Sequence, residues 1–373
     1  MKQLEQFFLL IDQYLNDTEF IRKHALSEKH FTRNRILTFR NTFWGLLAHT
    51  GASLQSEIPL LTRKFCGKIP SVSPQAFSKA RNKINYTSCK ELFEVSAKKL
   101  ILSKQYKGYF LAAVDASKIL PPDTPEIRNV LGTCGNQFSE RAGALISLLY
   151  DPLSDHIING ILSRCNESER KNLCTLIEQS HLENTILLLD RGYPGKEVYR
   201  FLSQHNLNYV IRMGIGDSNP RYIRESMNAD QISTDRKNPD ITHRIIRFKL
   251  KDNSEELLIT NIYDPQFTVE DFKTLYHFRW PIETKYDELK NKFQLEKFTG
   301  KTLNSVYQDF YNQMTKLNII SYLRLISSLK INSVGHKKKI SIQASIKFSF
   351  FICLSYYKTH PNESKSYMKY ACY

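Results

Sequence analysis

Residues 185–213, TILLLDRGYPGKEVYRFLSQHNLNYVIRM, contain the pattern that decides the fold. The run ILLL is wholly apolar, which is typical of a short strand covered on both faces. Asp190 follows this strand at a Gly/Pro turn, and KEVYRFLSQH then has the apolar spacing of an amphipathic helix. NYVIRM is a second apolar strand. A strand, a helix and a strand in this order predict one unit of an α/β domain.

The residues before this unit extend the same pattern. GYFLAAVDAS (108–117) is an apolar strand that we expect to end on Asp115. AGALISLLYDPLSDHIINGILS (142–163) indicates two strands joined by an Asp/Pro turn, and ESERKNLCTLIEQS (167–180) indicates a helix. The order is therefore three strands, a helix, a strand, a helix and a strand. That order predicts a ribonuclease-H-like α/β domain with a mixed sheet.

The segments on either side of this pattern differ from it. Residues 214–265 contain HRIIRFKL and EELLITNIYD around an evident hairpin turn, which predicts a β-rich insertion within the α/β domain. Helical spacing returns from Val269 to about Leu329. We therefore expect a helical N-terminal domain over 1–104, a catalytic domain over 105–300, and a helical and basic C-terminal region over 301–373.

The N-terminal domain contains a plausible DNA-docking helix in SVSPQAFSKARNKI (71–84). Ser73 is a good N-cap and Pro74 suits the first helical position. Arg81 and Lys83 follow on what we expect to be an exposed face, where they would contact DNA. An ordinary helical domain would show the same pattern, so both interpretations stay open.

The charge of the chain favours a polyanionic partner. Lys and Arg total 53 against 37 Asp and Glu, which leaves a formal net charge of +16. Near the end, GHKKKISIQASIKF (335–348) is strongly basic. For a globular protein this balance points to nucleic acid, although solvated surface charge is the simpler alternative.

Other classes of protein have little support in the sequence. No apolar run reaches the length of a membrane span, and Glu5 and Asp12 interrupt the N-terminal apolar stretch, so it does not resemble a signal peptide. The seven cysteines are scattered, with no C-x-x-C pair or zinc spacing. We expect a cytoplasmic protein that uses neither a membrane nor a small-molecule cofactor.

The two aspartates Asp115 and Asp190 stand out because each ends a buried strand. Ligands of open α/β sheets gather at the carboxyl ends of strands, so these side chains can share one site if the strands are neighbours. A single aspartate at such a position is more often a turn residue. A third carboxylate, Glu283, lies in LYHFRWPIETKYDELKNK (275–292). Asp, Asp and Glu converging at one sheet edge would suit two Mg²⁺ ions, which prefer oxygen ligands.

The surroundings of Glu283 have a regular spacing. Tyr276, Glu283 and Lys290 recur every seven residues, and Arg279 lies three residues after Tyr276. On one continuous helix these side chains would share a face. Pro281 predicts a helix start or kink at this point, which leaves Glu283 and Lys290 on one face.

With these residues in view, the chain resembles a DDE-class insertion-sequence transposase of the group with the signature Tyr-x2-Arg-x3-Glu-x6-Lys. The signature is complete here in Tyr276, Arg279, Glu283 and Lys290. AVDASKILPP is similar to the region around the family's first aspartate, here Asp115.

The region around the family's second aspartate is matched as well. LLLDRGYPG has Asp190 followed by Gly192 and the aromatic Tyr193. Each motif alone is weak, but three motifs in order are specific. The resemblance covers nearly the whole chain, most securely residues 105–300.

The resemblance implies a set of roles. Asp115, Asp190 and Glu283 would bind two Mg²⁺ or Mn²⁺ ions and cut DNA at transposon ends, and the freed 3′-hydroxyl would then attack target DNA. The residues expected to contact DNA beside them are Tyr276, Arg279, Lys290, Trp280, Arg191 and Tyr193. Trp280 could equally be a packed core residue, and Arg191 could pair with an acid.

The partner implied by the resemblance is double-stranded DNA, bound by a homodimer on paired transposon ends in the bacterial cytoplasm and associated with the nucleoid. Two other functions stay open. One is a ribonuclease-H-like nuclease without strand transfer, and the other is a non-catalytic DNA-binding relic of a transposase.

Overall fold

The computed structural model describes residues 2–33, 35–49, 54–55, 57–58, 72–102, 104–136, 139–216, 219–250 and 252–333. The basic segment GHKKKISIQASIKF and the rest of the chain after residue 333 lie outside the described residues. In the part that is described, no helix is long and apolar enough to cross a membrane.

Most of the helices agree in position with the helical segments expected from the sequence, whereas the two short ones, Pro125–Leu131 and Arg221–Arg224, were not predicted. They are α1 (Lys2–Asn16), α2 (Thr18–His24), α3 (Phe39–Ala48), α4 (Pro74–Arg81), α5 (Thr87–Lys99), α6 (Pro125–Leu131), α7 (Glu169–Ser180), α8 (Lys196–Gln204), α9 (Arg221–Arg224), α10 (Val269–His277), α11 (Pro281–Asp287) and α12 (Leu303–Ser333). A π-helical turn, Glu288–Lys292, follows α11 directly.

The strands alternate with these helices in the middle of the chain. They are β1 (Phe110–Ile119), β2 (Thr133–Asn136), β3 (Ser139–Ala142), β4 (Ala144–Asp151), β5 (His156–Arg164), β6 (Thr185–Leu189), β7 (Asn208–Met213), β8 (Asp230–Thr234), β9 (Thr242–Lys249) and β10 (Glu255–Thr260).

Eight of the strands form one mixed sheet in the order β5-β4-β1-β6-β7-β10-β9-β8. β1, β6 and β7 are parallel to one another, whereas β10 pairs antiparallel with both β7 and β9. Every residue of β6 is buried, as its apolar sequence predicted. Leucine and isoleucine side chains of this sheet pack against α7 and α8, and these contacts form the core.

Most predicted elements are present, but the stretch after β1 contains more structure than expected. The sequence analysis predicted no elements between β1 and β4, where the structure has α6 and the β2–β3 hairpin. The Thr124 hydroxyl accepts a hydrogen bond from the Ile127 N–H, and Pro125 occupies the first turn. This Thr-Pro-Glu start is an N-terminal signal that could have been recognised.

The described residues group into two compact units. The first comprises those of Met1–Leu102, Ile119–Ala144 and Asp287–Tyr373, and the second comprises Ser103–Lys118 and Leu145–Tyr286. Neither unit is one continuous segment, whereas the sequence predicted three consecutive domains. The functional division into those domains stays a prediction.

In the first unit, the expectation that Arg81 is exposed is wrong. Its side chain is fully buried. It donates hydrogen bonds to Gln308 Oε1 (3.0 Å), the Ser305 carbonyl (3.1 Å) and Asp309 Oδ1 (2.8 Å), and it also bonds Thr299. Arg81 is therefore held by partners more than 200 residues away, whereas Lys83 is exposed as predicted.

We predict that Arg81→Met lowers the free energy of unfolding by about 3 kcal/mol, because it leaves the carboxylate of Asp309 in a largely buried position without its partner. Urea unfolding of the full chain measures this change. The matched control is Lys83→Met, which removes the same charge from an exposed position and should change stability by less than about 0.5 kcal/mol. Equal stability of the two variants would contradict the structural role of Arg81.

Candidate active site

The pairing of β1 with β6 places two aspartates side by side. The parallel register joins Phe110 to Thr185 and Ala113 to Leu188. Asp115 and Asp190 each lie two residues beyond the last of these pairs. Because neighbouring strands are about 4.8 Å apart, the two positions are adjacent at one edge of the paired region.

Asp115 does not end its strand, which corrects the expectation from the sequence. β1 continues to Ile119, so Asp115 lies in its middle, next to the point where β6 ends at Leu189. Val114 is fully buried, but Asp115 is only partly buried. The carboxylate of Asp115 is therefore accessible because the neighbouring strand β6 ends beside it, although β1 itself continues.

The turn after β6 fixes Asp190. The Gly192 N–H donates to Asp190 Oδ1 at 2.7 Å, and the Tyr193 N–H donates to the Asp190 carbonyl at 3.2 Å. A Cβ at position 192 would lie 3.1 Å from Asp190 Oδ1, so a larger residue there would press on this carboxylate. The Asp-x-Gly-aromatic sequence thus forms a tight turn that holds the carboxylate.

The environment of Asp115 favours its neutral form. Burial raises the pKa of its carboxyl to about 6, and the charges of Asp190 and Glu169 also raise it. A hydrogen bond from the Ala116 N–H (2.8 Å to Oδ1) and the positive charge of Arg279 act in the opposite direction. Burial and the neighbouring acids together therefore disfavour the negative charge of Asp115 more than Arg279 and the Ala116 N–H stabilise it.

Arg279 connects this pair of strands to the third carboxylate. Its Nη2 donates to Glu283 Oε1 at 2.6 Å, and its Nη1 lies 4.0 Å from Asp115 Oδ2. The guanidinium is buried, and it lies over the rings of Trp280 and Tyr276 at 5.1 and 5.8 Å from their centroids. One guanidinium thus spans two of the three predicted catalytic carboxylates.

Helix α11 presents Glu283 because the chain breaks at Pro281. α10 ends at His277 and α11 begins at Pro281, as the sequence predicted. The Tyr286 hydroxyl donates to the Asp115 carbonyl at 2.7 Å, and it lies 3.2 Å from the Ile146 carbonyl. This side chain attaches α11 to β1 and β4, so the position of Glu283 depends on the backbone of Asp115.

One α-helix does not carry both Glu283 and Lys290, and their common face stays a prediction. The α-helical conformation ends at Asp287, and Lys290 lies in the π-helical turn that follows. A π-helix has a wider turn than an α-helix, so a spacing argument that assumes regular α-helix does not apply to these residues. Lys290 is half-buried in this turn.

The other predicted site residues differ in their exposure. Trp280 is 45% exposed, so it is not a packed core residue. Arg191 is exposed and forms no ion pair with any described residue, and both of the roles expected for it stay predictions. Tyr193 and Tyr276 are buried, so a contact between either of them and DNA would require a change of conformation.

The chemistry of these donors fits a hard divalent cation. Asp115 and Asp190 supply carboxylate oxygens at adjacent positions, and their mutual repulsion is what a bound cation would relieve. Among the described residues, no three Asp, Glu, His or Cys side chains are already grouped closely enough to hold one ion. Glu283, which is 48% exposed, is instead bonded to Arg279.

One acidic residue at this site was missed from the sequence. Glu169 begins α7, and its charge raises the pKa of Asp115. The sequence showed it only as an acidic residue in the first turn of a helix, where such residues are common. Its position beside Asp190 depends on how α7 packs on the sheet, which no local pattern reveals.

The chain is similar in sequence to known proteins. A family described as "Transposase DDE domain" matches residues 108–319. The chain is 22% identical over 338 residues to the transposase InsG for insertion sequence element IS4 of Escherichia coli (strain K12), which covers 84% of this chain and 75% of that protein.

A solved structure shows a similar fold. The piggyBac transposase in a synaptic complex with hairpin DNA matches with a TM-score of 0.53 and 11% identity, covering 98% of this chain and 85% of that one. At this level of identity the match shows a similarity of fold between the two chains.

We predict that Asp115→Asn stabilises the metal-free protein at about pH 8 by roughly 2 kcal/mol. Because the folded state raises the pKa of Asp115 from 3.8 to about 6, it binds this proton more tightly than the unfolded chain does. The wild-type free energy of unfolding therefore falls as pH rises through this interval, and the asparagine variant lacks that contribution.

Urea unfolding in EDTA at about pH 4 and about pH 8 measures this difference. The advantage of the variant should be small at the lower pH, where Asp115 is protonated in the folded state and about half protonated in the unfolded chain. An asparagine variant that is no more stable than wild type at the higher pH would contradict the raised pKa.

Proposed function

This chain belongs to the transposase DDE domain family, and we propose that it cuts the ends of an insertion sequence and joins them to target DNA. The observation that supports this most strongly is the adjacency of Asp115 and Asp190 on parallel strands, with Arg279 reaching from Asp115 to Glu283. Metal-assisted phosphodiester chemistry fits the family of the chain. It also fits the order of the three carboxylates along the chain and the charge environment that they share.

We further propose that the catalytic domain is ribonuclease-H-like. The strand order β5-β4-β1-β6-β7, with β1, β6 and β7 parallel, supports this assignment. β8, β9 and β10 would then be the predicted β-rich insertion, which extends the sheet through the pairing of β10 with β7.

In this proposal Asp115, Asp190 and Glu283 hold two Mg²⁺ or Mn²⁺ ions. When bound, such ions activate the attacking oxygen and stabilise the leaving oxygen of a phosphodiester displacement. Tyr286 supports the site by fixing α11 to the carbonyl of Asp115. Arg279 keeps Glu283 beside the strands until Glu283 is needed as a ligand.

Several of the proposed DNA contacts come from residues next to these carboxylates in the sequence. Arg191 and Trp280 are exposed beside them and can contact phosphate and an unstacked base, respectively. Arg279, once released from Glu283, suits bidentate phosphate contact, and Tyr276 and Lys290 would assist it. The exposed Lys83 adds positive charge in the N-terminal domain, whereas contacts by Arg81 and Tyr193 would require those buried side chains to move.

The partner in this proposal is double-stranded DNA, first at the transposon ends and then at the target. A net charge of +16 favours such a polyanion. We also propose that a homodimer acts on paired ends, in the bacterial cytoplasm and in association with the nucleoid, without a small-molecule cofactor.

We predict that Glu283→Gln abolishes cutting of the DNA that flanks this gene while end binding stays nearly intact. The substitution removes a metal-binding charge but keeps the shape of the side chain. Labelled flanks incubated with Mg²⁺ or EDTA show the cuts on a gel, and a mobility-shift assay measures binding.

The control is Glu270→Gln, the same substitution at an exposed position of α10. It should cut like wild type. Normal cutting by Glu283→Gln would remove Glu283 from the site. Metal-dependent cutting without joining would favour the nuclease, and tight binding without cutting in any metal would favour the non-catalytic relic.

We predict that Arg191→Ala weakens DNA binding and makes the affinity less dependent on salt concentration. Loss of one phosphate contact should reduce the slope of log K against log salt concentration by about 0.9. Arg221→Ala is the matched control, because Arg221 is exposed and paired with Glu225, outside the proposed site. An unchanged slope for Arg191→Ala would contradict its contact with DNA.

A further inference from the structure

Glu169 is an acidic residue that the resemblance did not assign to any role. We propose that it is an outer carboxylate of the cation site, beside Asp190, and that it strengthens the binding of divalent cations there. This inference rests on the proposed function, because it assumes a cation at Asp115 and Asp190.

The geometry around Gly192 brings Glu169 and Asp190 together. A Cβ built on Gly192 would lie 3.1 Å from Asp190 Oδ1 and 3.6 Å from Glu169 Oε2. The two carboxylates therefore border the same backbone position from two different elements, the turn after β6 and the start of α7. Glycine at 192 leaves the space between them open.

A neighbouring arginine fixes this arrangement. Arg170 Nε donates to the Gly192 carbonyl at 3.2 Å, which ties the first turn of α7 to the loop that holds Asp190. Glu169 is the preceding residue, so this hydrogen bond holds the backbone that carries Glu169 next to the turn that contains Asp190. Arg170 and Gly192 both belong to the second compact unit.

The electrostatic coupling agrees with this geometry. Desolvation and then the charge of Asp190 raise the pKa of Glu169, while the charge of Lys118 lowers it. Glu169 in turn contributes to the raised pKa of Asp115. Three carboxylates thus repel one another across this edge of the sheet, a condition that a divalent cation relieves.

A buried hydroxyl provides an independent indication of a missing ligand. The Tyr193 side chain is fully buried, and its Oη makes no hydrogen bond within the described part of the chain. Burial, followed by the charges of Glu169, Asp115 and Asp190, raises its pKa well above the ordinary value. The unused hydroxyl therefore lies within the field of the same three acids, where a hydrated cation or a phosphate would give it a partner.

Glu169 is assigned to the outer part of the site for a geometric reason. No three acidic side chains among the described residues are grouped closely enough to hold one ion directly. Mg²⁺ commonly binds one or two carboxylates and keeps several waters. A carboxylate next to those waters strengthens binding without direct coordination, as outer partners of metal ligands commonly do.

The test is a titration of the full chain with Mn²⁺ alone, followed by electron paramagnetic resonance of the free ion. Glu169→Gln should weaken Mn²⁺ binding by about tenfold. Glu178→Gln removes the same charge from an exposed position of the same helix and should leave the affinity unchanged. Unchanged affinity in Glu169→Gln would overturn the proposal.

A second measurement separates a role in the cation site from a role in folding. In EDTA, Glu169→Gln should have a melting temperature equal to or above that of wild type, since it removes repulsion with Asp190. The rise in melting temperature on adding Mn²⁺ should be smaller than in wild type. A variant that melts well below wild type in EDTA would overturn the proposal by showing a structural role.

Asp190→Asn distinguishes this inference from the function on which it rests. If Asp190→Asn weakens Mn²⁺ binding and Glu169→Gln does not, only the role of Glu169 is wrong. If neither variant changes the affinity, the metal site of the proposed function fails as well.

Discussion

The parallel pairing of β1 with β6 is the constraint on which the rest of the site depends, because it places Asp115 and Asp190 at adjacent positions. Two neighbouring carboxylates repel each other, and burial increases the cost of charging them. Arg279 places a positive charge 4.0 Å from Asp115 Oδ2, while it bonds Glu283 at 2.6 Å. In the proposed function, a bound divalent cation would take over the charge compensation that Arg279 provides.

This arrangement also explains the unusual local sequence around Glu283. Pro281 ends one helical segment and starts another, so the chain can turn α11 toward the sheet. Tyr286 then attaches α11 through the carbonyl of Asp115, the same residue whose carboxylate faces Arg279. The carbonyl of Asp115 thus holds helix α11 in place, and the carboxylate of the same residue lies near the guanidinium of Arg279.

The fold was predictable from sequence where local pattern determines structure. The strand, helix and strand of residues 185–213 follow from an apolar run, a turn and helical spacing, and the structure contains each of them. α6 and the β2–β3 hairpin were missed because they are short and polar. Burial of Arg81 depends on Asp309, more than 200 residues away, and local spacing contains no such information.

The site was predictable only in part for similar reasons. The adjacency of Asp115 and Asp190 could be inferred from two apolar strands, although Asp115 does not end its own strand. The π-helical turn that contains Lys290 could not be inferred, because the spacing argument assumed an uninterrupted α-helix. The role proposed for Glu169 could not be predicted, because its position beside Asp190 depends on how α7 packs on the sheet.

Anomalous diffraction from crystals grown with Mn²⁺ tests the proposed cation site most directly. We expect a peak within about 2.5 Å of both Asp115 and Asp190, with Glu283 released from Arg279. No peak there, in crystals whose metal binds elsewhere, would contradict the central claim.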